Sequence, residues 1–153
     1  IEADDAVNIT RLNLKNSHIV AIDQDLLALE GINYNWKNDV WIEVNHVEAD
    51  KKFWSDMVCG QTGDGIPGLK GKGAKYVEEL FNPQLVSVTH NLMITPPKCH
   101  RVLDAYVDHY KDFELGLEEY RKTYKCLKIK EKSEGFDIPK PIIYEGRVSL
   151  NSF

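Results

Sequence analysis

The chain has 153 residues, of which 42% are apolar and 28% charged, and this length fits one domain or one and a half. That composition, with no apolar run near about 18 residues, excludes a transmembrane span, collagen and wholesale disorder, leaving a soluble globular protein. The net charge of −5 hides a segregation: residues 1–64 carry 12 Asp and Glu against 5 Lys and Arg, residues 65–153 carry 12 against 14. Carboxylates hold metal ions and lysines neutralise phosphates, so an acidic half beside a basic half suits an enzyme acting on nucleic acid, whereas the bland alternative is ordinary surface charge.

In chain order, residues 2–15 read as a helix whose acidic start suits the positive end of a helix dipole. His18-Ile19-Val20-Ala21-Ile22 is too short for a helix and reads as a strand buried on both faces, ending on Asp23-Gln24-Asp25. Leu26 to Leu29 make a helical turn that Gly31 breaks, and Val40 to Val44 alternate as a second strand. A helix from about Val47 to Cys59 follows. Residues 60–73 then concentrate Gly60, Gly63, Gly65, Gly68, Gly71 and Gly73 in a segment that leaves backbone uncovered, and a helix opens at Ala74.

Pro96-Pro97 marks a bend before two helices, about 98–110 and 112–131. The second carries an apolar stripe, Phe113, Leu117, Tyr120, Tyr124 and Leu127, with Arg121, Lys125, Lys128 and Lys132 as a basic stripe beside it. The tail 133–153 reads as irregular. One convincing strand and one weaker one cannot satisfy their own backbone groups, so the sheet has to be completed from elsewhere.

Three cysteines, Cys59, Cys99 and Cys126, are odd in number and far apart, which gives neither a disulfide framework nor a CxxC zinc site and points to a reducing, intracellular compartment. His90, Cys99 and His100 match no common zinc spacing, and Trp36, Trp41 and Trp54 read as core. Glu2 and Asp5 stand at i and i+3 on the first helical turn beside Asp4, where dipole complementation is the plain reading. Asp23 and Asp25 at a strand end are more pointed, since neighbouring carboxylates repel unless a cation or proton lies between them. Asp64 sits inside the glycine segment.

Taken in order, EADDAVNI at 2–9, HIVAIDQDLLALEG at 18–31 and GQTGDGIPGLKGKGAKYVEELF at 60–81 resemble the structure-specific 5′-nuclease family. The bacteriophage 5′–3′ exonucleases and the 5′-nuclease domain of bacterial DNA polymerase I are the nearest in kind. The resemblance implies an α/β, mostly helical chain: the end of a PIN-like parallel-sheet metal-binding domain over 1–59, then a helix-three-turn-helix and helical DNA-binding region over 60–132. It implies Glu2, Asp4, Asp5, Asp23, Asp25 and Asp64 as metal ligands and catalytic carboxylates. Two Mg²⁺ or Mn²⁺ ions would orient a water for attack on a phosphodiester. Gly68, Lys70, Gly71, Lys72, Gly73 and Lys75 would contact DNA there, with a potassium ion at the glycine-rich loop. The expected activity is metal-dependent 5′–3′ exonuclease or flap endonuclease hydrolysis of DNA, or of RNA in a hybrid, in a phage-infected bacterial cytoplasm.

Two departures stand out. Gln61 occupies the place of the first Asp in the family's G-D-x-x-D pattern, and Gln24 that of the Lys between the paired aspartates. The family's amino-terminal strands and basic arch are not in these residues, and Ile1 is no initiator. The expected partners are therefore duplex DNA with a 5′ end or flap and the missing amino-terminal part, in the same or another chain. The rival expectation is a non-catalytic, structure-specific DNA-binding module or one subunit of a split nuclease.

Overall fold

The structure, a computed structural model, describes residues 2–82 and 96–132, together with the strands Ser87–Thr89, Leu92–Ile94, Pro141–Tyr144 and Arg147–Leu150 by their backbone pairing. His90 and residues 133–140 lie outside the described residues. The chain is α/β and mostly helical, with a small mixed three-stranded sheet. It divides into two compact units, Ile1–Phe53 with Lys128–Phe136, and Trp54–Leu127 with Asp137–Phe153.

The first unit holds α1 (Ala3–Asn13), β1 (Ile19–Ala21), α2 (Gln24–Leu27), β2 (Gly31–Asn35), β3 (Val40–Val44) and the start of α3 (His46–Cys59). The sheet runs β1-β2-β3, with β1 parallel to β2 and β2 antiparallel to β3. Ile19, Ala21, Leu26 and Leu27 form its core, with Leu29, Ile42 and Ile129 packed against them. Only one face of β1 is buried, which corrects the expectation of burial on both: Val20 is 61% exposed. The register lines Val20, Tyr34 and Trp41 up on the outer face, where the Tyr34 and Trp41 rings meet with centroids 4.9 Å apart. Trp36 and Trp41 are accordingly exposed, and of the three tryptophans only Trp54 is core.

Strand β2 is the element that the sequence pattern conceals. Its two inward positions are Asn33 and Asn35, both buried, so the apolar alternation that signals a strand is missing. Their amides satisfy backbone instead. Asn33 Nδ2 donates to the carbonyls of Leu27 (3.2 Å) and Leu29 (2.8 Å) at the end of α2, and Asn35 Oδ1 accepts from the N–H groups of Lys37 (3.1 Å) and Asn38 (3.3 Å) in the hairpin turn. Asn33→Leu should therefore lower the urea midpoint by the equivalent of about 1–3 kcal/mol, since a residue of similar size leaves two buried carbonyls without a donor. An unchanged midpoint would mean that those carbonyls find water.

The second unit contains the rest of α3, a 3₁₀ turn (Thr62–Asp64), α4 (Ala74–Leu80), the hairpin β4–β5 (Ser87–Thr89 and Leu92–Ile94), α5 (Lys98–Tyr110), α6 (Phe113–Leu127) and the hairpin β6–β7 (Pro141–Tyr144 and Arg147–Leu150). Tyr106 and Tyr120 meet edge to face at 5.8 Å, and the Tyr106 hydroxyl donates to the Met57 carbonyl at 2.7 Å. Burial pushes the Tyr106 phenol up to about 12. Gly116 lets α6 cross α5 closely, because a Cβ there would stand 2.7 Å from Val107 Cα.

Two expectations are corrected in this region. The tail expected to be irregular over 133–153 carries the β6–β7 hairpin, in which the β-branched Ile143 pairs with Val148. The helix expected to reach 131 stops at Leu127, so Lys128 and Lys132 lie past its end rather than on a basic face. Lys128 instead pairs with Glu131 at 2.8 Å.

Candidate metal and nucleic-acid site

Helix α1 begins at Ala3 with Glu2 at its N-cap position, and the next residues deliver Asp4 and Asp5 in opposite senses, because consecutive helical side chains diverge by about 100°. Asp4 is half-buried. Burial, then Asp23, then Asp25, with smaller contributions from Glu2 and Asp5, raise its carboxyl above the usual carboxylate range. Four further acids thus act on the one Asp4 carboxylate.

Each partner in the cluster has a local reason for its place. Asp23 is the N-cap of α2: its Oδ1 accepts from the N–H groups of Asp25 (2.8 Å) and Leu26 (3.2 Å), which fixes it at the carboxyl end of β1. Asp25, in the first turn of α2, is approached by Lys52 at 3.9 Å. Asp5 behaves differently. It is 5% exposed, its Oδ1 accepts the Lys130 N–H at 2.9 Å, and its Oδ2 pairs with Lys130 Nζ at 3.1 Å. Burial works to raise the Asp5 carboxyl, but the amide and ammonium of Lys130 outweigh it and hold the group below its ordinary value.

As donor types, these carboxylates are all oxygen and like-charged, the chemistry that a hard ion neutralises. They are not drawn into a coordination shell. Among the described residues, no three metal-ligating side chains are gathered closely enough to hold an ion.

Asp4 and Asp5 carry opposite pH signatures. With its folded pKa raised, ionised Asp4 opposes folding once the pH is above that value and does nothing below the unfolded value. Asp4→Asn should therefore raise the melting temperature of the metal-free protein near about pH 7 and leave it unchanged near about pH 3. A melting temperature that falls at neutral pH would show that Asp4 is compensated.

The second unit carries Asp64 and the glycine segment. Gln61 and Ile66 form an antiparallel bridge, and the 3₁₀ turn between them leaves Asp64 exposed at its tip. Gln61 Nε2 donates to Asp56 Oδ2 at 3.0 Å, so the amide is engaged with a carboxylate that sequence reasoning passed over. Gly60 and Gly68 press together: a Cβ on Gly68 would lie 2.3 Å from Gly60 N, with φ at +58°. Leu69 plugs the loop into the unit, 1% exposed, and its N–H donates to the Val58 carbonyl at 2.7 Å.

Beyond Leu69 the backbone opens out. Cβ positions at Gly71 and Gly73 would meet nothing within 4 Å, and Lys70 and Lys75 are exposed. Lys72 is half-buried, with its ammonium 4.2 Å from the centre of the Tyr76 ring. Sequence reasoning also missed Asn8 and Lys130. Asn8 stands three residues after Asp5 on the same helix face, and both are buried. No family model, curated protein or solved structure matches the chain.

Proposed function

We propose that this chain is part of a metal-dependent 5′–3′ exonuclease or flap endonuclease of the bacteriophage exonuclease and polymerase I type. In this reading the first unit is the end of a PIN-like domain, and residues 60–81 are its helix-three-turn-helix. The observation that carries the reading is Asp23, held by its cap hydrogen bonds at the carboxyl end of β1 where the sequence motifs assign metal ligands, with the charges of Glu2, Asp23 and Asp25 acting on Asp4. Mg²⁺ or Mn²⁺, when bound, would supply an activated water and offset phosphate charge. Glu2, Asp4, Asp23 and Asp25 would hold it. The chain's own contribution is to fix Asp23 through its cap hydrogen bonds.

The substrate is DNA with a 5′ end, or RNA in a hybrid, held through phosphates by Lys70, Lys72, Lys75 and the uncovered amides of Gly71 and Gly73; Gly68 builds the loop, and a potassium ion there belongs to the same reading. No described helix is long and apolar enough to cross a membrane. An intracellular site of action fits a DNA substrate. Exchanging Lys70 and Lys72 together for alanine should weaken binding alike for all sequences and reduce the slope of log affinity against log salt by about two units. Unchanged affinity and slope in a potassium chloride titration would remove the glycine loop from the interface.

One observation favours the second reading, a non-catalytic DNA-binding module. Gln61 stands where a carboxylate is expected and already donates to Asp56. That reading predicts salt-dependent binding with no product under any divalent ion.

A further inference from the structure

Strand alternation turns Ile19, Ala21, Asn33, Asn35 and Ile42 inward, which leaves Val20, Ile32, Tyr34, Trp41 and Glu43 on the outer face of the β1-β2-β3 sheet. Val20, Ile32 and Trp41 are 61%, 45% and 59% exposed, so large apolar side chains stand together on one surface rather than singly. The rings among them are already ordered. Tyr34 donates its hydroxyl to Asp39 Oδ1 and meets Trp41 at 4.9 Å, and the Trp41 ring meets His18 edge to face with centroids 5.5 Å apart. Little side-chain freedom is left to lose when such a face is covered.

Two cross-strand rows make up the face. One is Val20, Tyr34 and Trp41; the other runs from His18 through Ile32 to Glu43, with His18 Nδ1 donating to the Ile32 carbonyl at 3.2 Å. Glu43 is exposed and has no hydrogen bond or ion pair among the described residues. A row with a group that can carry positive charge at one end, a carboxylate at the other and an isoleucine between them is complementary to itself. A two-fold axis lying along β2 above the face keeps each row in place and exchanges its ends. It sets Glu43 over the partner's His18, Trp41 over the partner's Val20, and Ile32 over its own counterpart. A two-fold axis across the strands exchanges the rows instead and leaves Glu43 against an indole. We propose that this face is a self-association surface, on which a second copy of the chain packs sheet on sheet with strands aligned and His18 and Glu43 paired twice across the axis. This goes beyond the nuclease reading and does not depend on it. Strands of three to five residues make a patch smaller than the roughly 800 Å² per partner of a standard interface, so the dimer is weak, with a Kd on the order of tens of micromolar.

Sedimentation equilibrium of the wild-type chain from about 5 to about 500 µM should show a monomer–dimer equilibrium. Glu43→Lys sets like charge against His18, and Trp41→Ser removes the largest apolar contact; each should weaken the dimer about tenfold or more. Both positions are exposed, so the fold is kept, and an unchanged urea midpoint checks this. The decisive variant combines His18→Glu with Glu43→Lys. It reverses the pair and should restore association to within about threefold of wild type. Leu115→Ser, an exposed apolar position on α6 in the second unit, should leave the wild-type Kd unchanged. A wild-type chain that stays monomeric across the range overturns the proposal. So does a dimer that Glu43→Lys leaves intact, or one that the double exchange fails to restore. A monomer whose tryptophan fluorescence is quenched by single-stranded oligothymidine, and not in Trp41→Ser, would overturn it in favour of a base-stacking surface.

Discussion

Asp23→Asn is expected to reduce metal-dependent cleavage by about a hundredfold or more while changing stability by less than about 0.5 kcal/mol. Asp23 has two separable duties. As N-cap of α2 it offers Oδ1 to the N–H groups of Asp25 and Leu26, and as one of the acids facing Asp4 it contributes negative charge. Asparagine retains the carbonyl oxygen and caps a helix about as well as aspartate, so the first duty survives and the second is lost. Asp23→Ala loses both, and it should lower stability by about a further 1 kcal/mol. Urea denaturation beside a cleavage assay separates the two. If asparagine and alanine impair cleavage only in proportion to lost stability, Asp23 is a structural cap and nothing more.

The largest effect on stability is expected at Gly68. A Cβ added there would stand 2.3 Å from Gly60 N, 2.5 Å from the Cys59 carbonyl carbon and 2.6 Å from the Val58 oxygen, all backbone atoms that cannot rotate away. The residue also sits at φ +58°, which costs a β-carbon-bearing residue about 1–2 kcal/mol before any clash. Gly68→Ala should therefore cost about 3 kcal/mol or more and pull Leu69 from its buried place, reducing DNA binding through the loop as a consequence. Two other glycines give the controls. Gly71→Ala has open space but φ +79°, so it should show only the conformational cost of about 1–2 kcal/mol; Gly63→Ala has neither burden and should be close to neutral. Three equal melting temperatures would mean that the loop does not pack as described.

Much of the fold was legible because it follows local rules. The helices from Ala3, His46, Lys98 and Phe113 begin within a residue or so of their sequence signals, and the strands at Ile19 and Val40 were marked by β-branched runs. The glycine segment was readable because its residues permit little else. The failures have a common cause in side chains whose role depends on distant partners. Strand β2 turned asparagines inward, which no hydrophobic pattern reveals, and those amides make sense only once the end of α2 and the hairpin turn surround them. The exposure of Trp41 depends on its register against Tyr34. The basic stripe failed because the helix ended early, and Lys130, past its end, was drawn to an acid on the first helix.

The candidate site divides along the same line. The motifs pointed to Glu2, Asp4, Asp5, Asp23, Asp25 and Asp64; the charges of Asp23, Asp25, Glu2 and Asp5 act on Asp4, while Asp64 belongs to the second unit. Asp5 belongs to the same tetrapeptide, yet its neighbour at 3.1 Å comes from 125 positions away, a relation without any short-range signature. Gln61 was visible as a departure from the family pattern. Its hydrogen bond to Asp56 was not, although the two are only five residues apart, because the chain must turn at Gly60 to bring them together.

The central claim is that the carboxylates of the first unit direct hydrolysis of a DNA substrate held by phosphate contacts. The most direct measurement follows a duplex bearing a 5′ flap, labelled at its 5′ end, on a denaturing gel over time with the chain supplied with the amino-terminal part of the enzyme, wild type or Asp23→Asn, in Mg²⁺ and in chelator. The account predicts labelled short products from the wild type in Mg²⁺, none in chelator and few from the variant. DNA that is bound but never cut, or cut equally by the variant or in chelator, would contradict it.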